Sequence, residues 1–97
     1  MALLTKKEIR LVLTELRGWV LQGKEIRRKL EFTDFARAIG FVNSVAIVAE
    51  RANHHPDIDI RWNKVTLSLS THSEGGITGK DISLAKKIDS LIQGKQL

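Results

Sequence analysis

The chain has no cysteine and no tyrosine, and among its 97 residues there is a single proline and a single methionine. Without cysteine there can be no disulfide, so nothing implies an oxidising compartment. There is also no thiolate to serve as nucleophile or soft metal ligand, and without tyrosine there is no phenolic acid. Long apolar runs are missing as well. The opening Met1-Ala2-Leu3-Leu4-Thr5-Lys6-Lys7 has no apolar run long enough for a signal peptide. No segment approaches the roughly 20 apolar residues of a membrane span. A cytoplasmic protein with no membrane partner is therefore expected. Repeats, linkers and low-complexity stretches are absent, and residues 1–97 are expected to form one domain.

What is present is ordinary globular composition, with 42% apolar and 28% charged residues. A chain of this size buries roughly 60–70% of its unfolded surface, enough for one core. The net charge of +5 would permit nucleic-acid binding. The basic residues are dispersed, however: Lys6, Lys7 and Arg10, then Lys24, Arg27, Arg28 and Lys29, then Lys80, Lys86 and Lys87. No aromatic residues interleave with them as a base-stacking platform requires. The charge reads as a solvated surface, and nucleic acid is not an expected partner.

Periodicity predicts the elements. Thr5-x-x-Glu8 has the form of a capping box. Ile9, Val12, Leu13 and Leu16 continue it as a helical stripe, with Gly18 as a stop. Trp19-Val20-Leu21 reads as a short strand and Gln22-Gly23 as a turn. From Glu25 to Phe32 the residues alternate, with Ile26, Leu30 and Phe32 on one face, so a half-buried strand is expected. Arg28 interrupts the apolar face and is expected near an edge. Thr33 is the expected cap of a second helix, with Asp34 in its first turn. Phe35, Ala38, Ile39, Val42, Val45, Ala46 and Ala49 give this helix a wide apolar face, flanked by Phe41 and Val48. Gly40, within it, suggests close approach of another backbone. The helix should end near Asn53, because Pro56 biases His55 away from helical conformation.

A hairpin is expected next, with Ile58, Ile60 and Trp62 on one strand, Val65, Leu67 and Leu69 on the other, and Asn63-Lys64 as the turn. Ser73 to Gly76 reads as a loop. Thr78-x-x-Asp81 opens the last helix, whose stripe is Ile82, Ala85, Ile88, Leu91 and Ile92 and which Gly94 closes. The order α-β-β-α-β-β-α, with one-sided strands, predicts an α+β fold in which helices pack on one face of a four-stranded antiparallel sheet.

All three histidines fall between Glu50 and Asp81. Histidine is the side chain whose ordinary pKa lies near neutrality, which suits it to proton transfer. His54 and His55 follow the second helix, His72 ends the last strand, and Asp81 lies in the first turn of the last helix. Glu50, one turn before His54, is placed to hold that imidazole. Each residue also has an ordinary explanation. A histidine at a helix C-terminus complements the helix dipole, Asp81 is a capping acid, Trp62 is core, and Glu50 is a solvated helix residue. Metal binding is a further alternative, but adjacent histidines in extended chain point apart, and neither His spacing of i,i+4 nor cysteine supports it. No metal is expected.

The joint pattern Glu50-x3-His54-His55-Pro56-x5-Trp62-x9-His72-x8-Asp81 resembles the signature of the pterin-4a-carbinolamine dehydratases. Gly18-Trp19, the run from Thr33 to Phe41, Val45-Ala46, Ala49-Glu50, Asn63-Lys64-Val65, Ser70-Thr71-His72 and Asp81-Ile82-x-Leu84-Ala85 are similar to the same family. The likeness extends from Gly18 to about Ile88, although the loop around Gly23 is short for the family. It implies removal of water from a 4a-hydroxytetrahydropterin to give the quinonoid dihydropterin. That reaction recycles the pterin of aromatic amino-acid hydroxylases, with no metal or cofactor. It further implies that His54 and His72 are the acid/base pair and that His55 orients the pterin. Glu50 would tune His54 and Asp81 would support the site. Trp62 would wall or underlie the pocket, and the Ser70-Thr71 backbone would bind the pterin edge. The family forms homodimers or homotetramers. Some of its animal members bind a homeodomain transcription factor, and relatives with eroded sites assist Rubisco assembly. A non-catalytic binding or dimerisation module on the same fold is thus the competing expectation, against which the intact histidine set argues.

Overall fold

The computed structural model describes residues 2–92. Helix α1 (Lys6–Leu13) is followed by strands β1 (Trp19–Gln22) and β2 (Glu25–Glu31), helix α2 (Phe35–Ala52), strands β3 (Asp57–Arg61) and β4 (Lys64–Leu69), a single 3-10 turn (His72–Glu74) and helix α3 (Gly79–Ile92). The four strands form one antiparallel sheet in the order β1-β2-β4-β3. Ile26 and Leu30 of β2 and Val65, Leu67 and Leu69 of β4 are buried on one face. They share a single core with Ile9 of α1, Ala38, Phe41, Val45 and Ala49 of α2, and Leu84, Ala85 and Ile88 of α3. Phe32 and Phe41 stack with ring centroids 5.1 Å apart. The opposite face carries Arg27, Lys29, Glu31, Thr66 and Ser68. The expected α+β architecture is the one observed.

The capping box at Thr5 and Glu8 forms in both directions. Helix α1 ends at Leu13, however, and not near Gly18. Thr14, Glu15 and Leu16 bond to the carbonyls three residues back, so the last turn tightens. This taper is what turns Leu16 into the core, where it is 4% exposed. Gly18 then takes φ +92°, a left-handed value that glycine reaches without a Cβ penalty.

Arg28 does not lie at an edge. Strand β2 pairs with β1 on one side and β4 on the other, so it is internal. Its residue Arg28 pairs with Trp19 on one side and Leu67 on the other. The guanidinium reaches the rim of the core, donating to the Arg17 carbonyl at 2.6 Å and to Asp89 Oδ1 at 3.3 Å. The Trp19 indole N–H donates to the same oxygen at 2.8 Å. One carboxylate on α3 therefore secures β1 and β2 together.

Three further expectations shift. The cap of α2 is Asp34, not Thr33, and its carboxylate accepts the Arg37 N–H at 2.8 Å. The buried stripe of α2 is Ala38, Phe41, Val45 and Ala49. Phe41 is thus a core residue, while Phe35 is 52% exposed and Ala46 lies outward. An added Cβ at Gly40 would meet nothing within 4 Å, so no backbone of this chain approaches it. Finally, the hairpin turn is Trp62-Asn63, because Arg61 pairs directly with Lys64. Asn63 fixes this register by donating to the Phe32 carbonyl at 2.8 Å while its own carbonyl accepts the Phe32 N–H. Trp62 consequently sits in the turn at φ +55° and is 70% exposed, not packed in the core. Strand β3 is an edge, exposed along its length. Helix α3 begins as expected after Thr78; Gly94, its expected stop, lies outside the described residues. Among the described residues no helix is long and apolar enough to cross a membrane.

Candidate active site

The end of α2 positions the first histidine. Asn53 adopts the left-handed conformation at φ 50°, ψ 42°. The Asn53 N–H bonds to the Glu50 carbonyl and the His54 N–H to the Ala49 carbonyl, which is the Schellman closure of a helix. Asparagine serves here because it tolerates positive φ. The closure reverses the chain and carries His54 across to α3. Its Nε2 lies 2.6 Å from Asp81 Oδ1. Asp81 is fully buried, and its other oxygen accepts the Thr71 hydroxyl at 2.7 Å and the Thr78 N–H at 2.9 Å. The carboxylate thus caps α3 and holds His54 at once.

Thr71 also anchors the loop that presents the third histidine. Its N–H donates to the Gly76 carbonyl at 2.8 Å, and its carbonyl accepts from Glu74 and Gly75. Gly75 closes the intervening turn at φ 77°. His72, the first residue of that turn, is exposed. It lines a cleft of about 220 Å³ with Gln22, Lys24, Glu25, Ser70 and Gly75. The Ser70 hydroxyl donates to the Lys24 carbonyl at 2.7 Å, tying β4 to the β1–β2 turn. Asp81 therefore links His54 to Thr71, the residue before His72, while the cleft that His72 lines includes neither His54 nor His55.

Several expected site residues fall elsewhere. Glu50 does not hold His54; it pairs with His55 at 2.6 Å, on the surface, with side chains 77% and 58% exposed. The helix closure at Asn53 explains the exchange, since it turns His54 away from the face that carries Glu50. Trp62 lies at the far end of β3 from His54 and His55. Five strand residues separate them, about 17 Å at roughly 3.3 Å per residue, so this chain does not bring Trp62 to its own histidines. The Thr71 N–H and carbonyl take part in the turn that follows, and its buried hydroxyl is bound to Asp81. Thr78, Gln22, Lys24 and Glu25 were not apparent from spacing. The Thr78-x-x-Asp81 cap was the available signal for Thr78, while the β1–β2 turn approaches His72 only through sheet pairing.

Among the described residues no group of three or more His, Asp or Glu side chains is placed to hold a metal ion. A larger concavity of about 500 Å³ lies on the open sheet face, among Arg27, Lys29, Glu31, Asp59, Arg61 and Lys64, and includes none of the histidines. Its basic side chains outnumber the acidic pair Glu31 and Asp59, but no aromatic side chain lines it as a base-stacking platform requires.

The family model described as pterin 4 alpha carbinolamine dehydratase matches residues 2–91. A relative from Roseiflexus castenholzii is 58% identical over 91 residues, covering 94% of this chain and 98% of its own. One from Acidobacterium capsulatum is 53% identical over 92 residues, covering 95% and 100%. Both carry the provisional name pterin-4-alpha-carbinolamine dehydratase. A crystal structure from Brucella melitensis, described as a transcriptional coactivator/pterin dehydratase, superposes with a TM-score of 0.87 at 38% identity, covering 93% of this chain and 98% of that one. A pterin dehydratase-like protein described as a RuBisCO assembly factor in the alpha-carboxysome has a TM-score of 0.69 at 21% identity over 81% of this chain and 94% of its own, a likeness of fold alone.

Proposed function

The chain belongs to the pterin 4 alpha carbinolamine dehydratase family, and from that premise we propose that it dehydrates a 4a-hydroxytetrahydropterin by acid/base catalysis at His54 and His72. The observation that carries the reading is the Asp81 carboxylate, which binds His54 through one oxygen and Thr71, next to His72, through the other. The substrate bears a hydroxyl and a ring nitrogen on one carbon. The C–O bond breaks, and its oxygen leaves as water after receiving a proton. The ring N–H gives up its proton, and the electrons it releases form the C=N bond of the quinonoid dihydropterin. One imidazole supplies the first proton and another accepts the second, each transfer contributing on the order of 10²–10⁴-fold. His55, on the surface beside His54, orients the pterin, with Glu50 holding its ring. The reaction needs no cofactor and suits the cytoplasm.

The same reading has the chain assemble as a homodimer or homotetramer. Support comes from apolar surface outside the core: Phe35 and Ile47 on α2 are 52% and 56% exposed, and Ile58 and Ile60 line the free edge of β3. That surface also favours the second reading, a module that binds a protein partner, as the coactivator description of the Brucella relative implies for that protein. The deciding experiment follows the decay of chemically generated 4a-hydroxytetrahydropterin with and without the protein. Faster decay supports the dehydratase; an unchanged rate leaves the binding module.

A further inference from the structure

The buried hydroxyls of Thr71 and Thr78 lie 2.8 Å apart. A hydroxyl has one proton to donate. Thr71 gives its proton to Asp81 Oδ2 at 2.7 Å, so the proton between the two threonines belongs to Thr78. Thr78 Oγ1 in turn accepts the Lys80 N–H at 3.2 Å. The hydrogen bonds therefore run in one direction, from Lys80 through Thr78 and Thr71 into the carboxylate. Asp81 accepts at Oδ2 from both the Thr71 hydroxyl and the Thr78 N–H, and a carboxylate has no hydrogen of its own to give. Its 2.6 Å contact with His54 Nε2 then requires the hydrogen to be on the nitrogen.

We propose that Thr78 and Thr71 are positioning residues that aim Asp81 so that neutral His54 is held as the Nε2–H tautomer, leaving Nδ1 as the nitrogen that exchanges protons with the substrate. The His54 side chain is 12% exposed, so the ring is not wholly sealed while its Nε2 is engaged by Asp81. In the base role, the Nδ1 lone pair takes the ring N–H proton of the carbinolamine as the C=N bond forms. In the acid role, Nδ1–H of the doubly protonated ring gives its proton to the departing oxygen. Nε2–H stays on Asp81 in both. The group that bonds one ring nitrogen of a histidine fixes its tautomer and so decides which nitrogen reacts, and here that group is a carboxylate held by two threonines. The identity of the substrate rests on the dehydratase reading; the tautomer does not.

The test is long-range ¹H–¹⁵N correlation of the imidazoles in substrate-free, uniformly labelled protein, above the pH at which the rings are charged. Only three histidines contribute signals, and His54→Gln identifies one set by its loss. The parent protein is expected to show a protonated Nε2 and an unprotonated Nδ1 at His54. Thr71→Val should convert this to a mixture of tautomers and lower kcat roughly 10- to 100-fold, the scale of a small misplacement of a reacting group, with KM little changed. Thr71→Ser, which keeps the hydroxyl, should restore both the spectrum and most of the rate. A parent spectrum with the proton on Nδ1 overturns the proposal whether or not Thr71→Val folds. A folded Thr71→Val protein with an unchanged Nε2–H signal and parent kcat overturns the role of the threonines. An Nε2–H signal in a protein without dehydratase activity supports the tautomer and contradicts the dehydratase reading instead.

Discussion

The His54 imidazole and the Asp81 carboxylate are 2.6 Å apart although 27 positions separate them in the chain. Asp81 is wholly buried and also serves Thr71 and Thr78. Removing it orphans a buried hydroxyl and a buried backbone N–H. Asp81→Ala is expected to cost about 2–4 kcal/mol of stability. By contrast, the Glu50–His55 pair is exposed, and Glu50→Ala should cost no more than about 0.5 kcal/mol. Urea denaturation of the two variants measures the difference; equal losses would refute the contrast.

Asp89 makes a second prediction. It accepts from both Trp19 Nε1 and Arg28 Nη1, and the buried Arg28 Nε has no partner among the described residues. Asp89→Ala should destabilise by about 1–3 kcal/mol, since it leaves a buried indole N–H and a partly buried charge unmatched. Adding Arg28→Met should recover part of that loss by removing the stranded guanidinium. A strictly additive double variant in chemical denaturation would contradict the shared-acceptor account.

The cap of α2 should show itself in pH dependence. Chiefly the Arg37 backbone N–H, and also the Arg37 charge and side-chain hydrogen bond, hold Asp34 below its ordinary value of 3.8. A carboxyl lowered in the folded state stabilises it fully above the unfolded value, and the gain is lost as pH falls through the folded value. The stability gap between the parent and Asp34→Ala should therefore be constant near neutrality and shrink below about pH 4. Thermal melts across that range measure it, and a gap that widens on acidification would contradict the assignment.

Much of this was legible from local pattern. The capping box at Thr5, the Asp81 cap that opens α3 after Thr78, the end of α2 at Asn53, and the alternation of β2 and β4 follow from periodicity and cap chemistry, which act over a few residues. The partners of the histidines do not. Glu50 stands one helical turn before His54 and is the natural local partner, but the left-handed Asn53 turns His54 toward α3. Arg28 follows a related rule: its acceptors, the Arg17 carbonyl and Asp89, lie outside β2, and no stretch of β2 encodes them. Trp62 moved because a one-residue change in turn position takes a side chain off the strand, and the bond from Asn63 to Phe32 that sets the turn spans 31 positions.

The central claim is tested most directly by the dehydration rate of chemically generated 4a-hydroxytetrahydropterin, measured with the parent, His54→Ala and His72→Ala proteins at neutral pH, each shown to be folded by circular dichroism. The account predicts acceleration by the parent and a loss on the order of 10²-fold or more in each variant, the scale of a positioned acid or base. Full acceleration by both folded variants would contradict it.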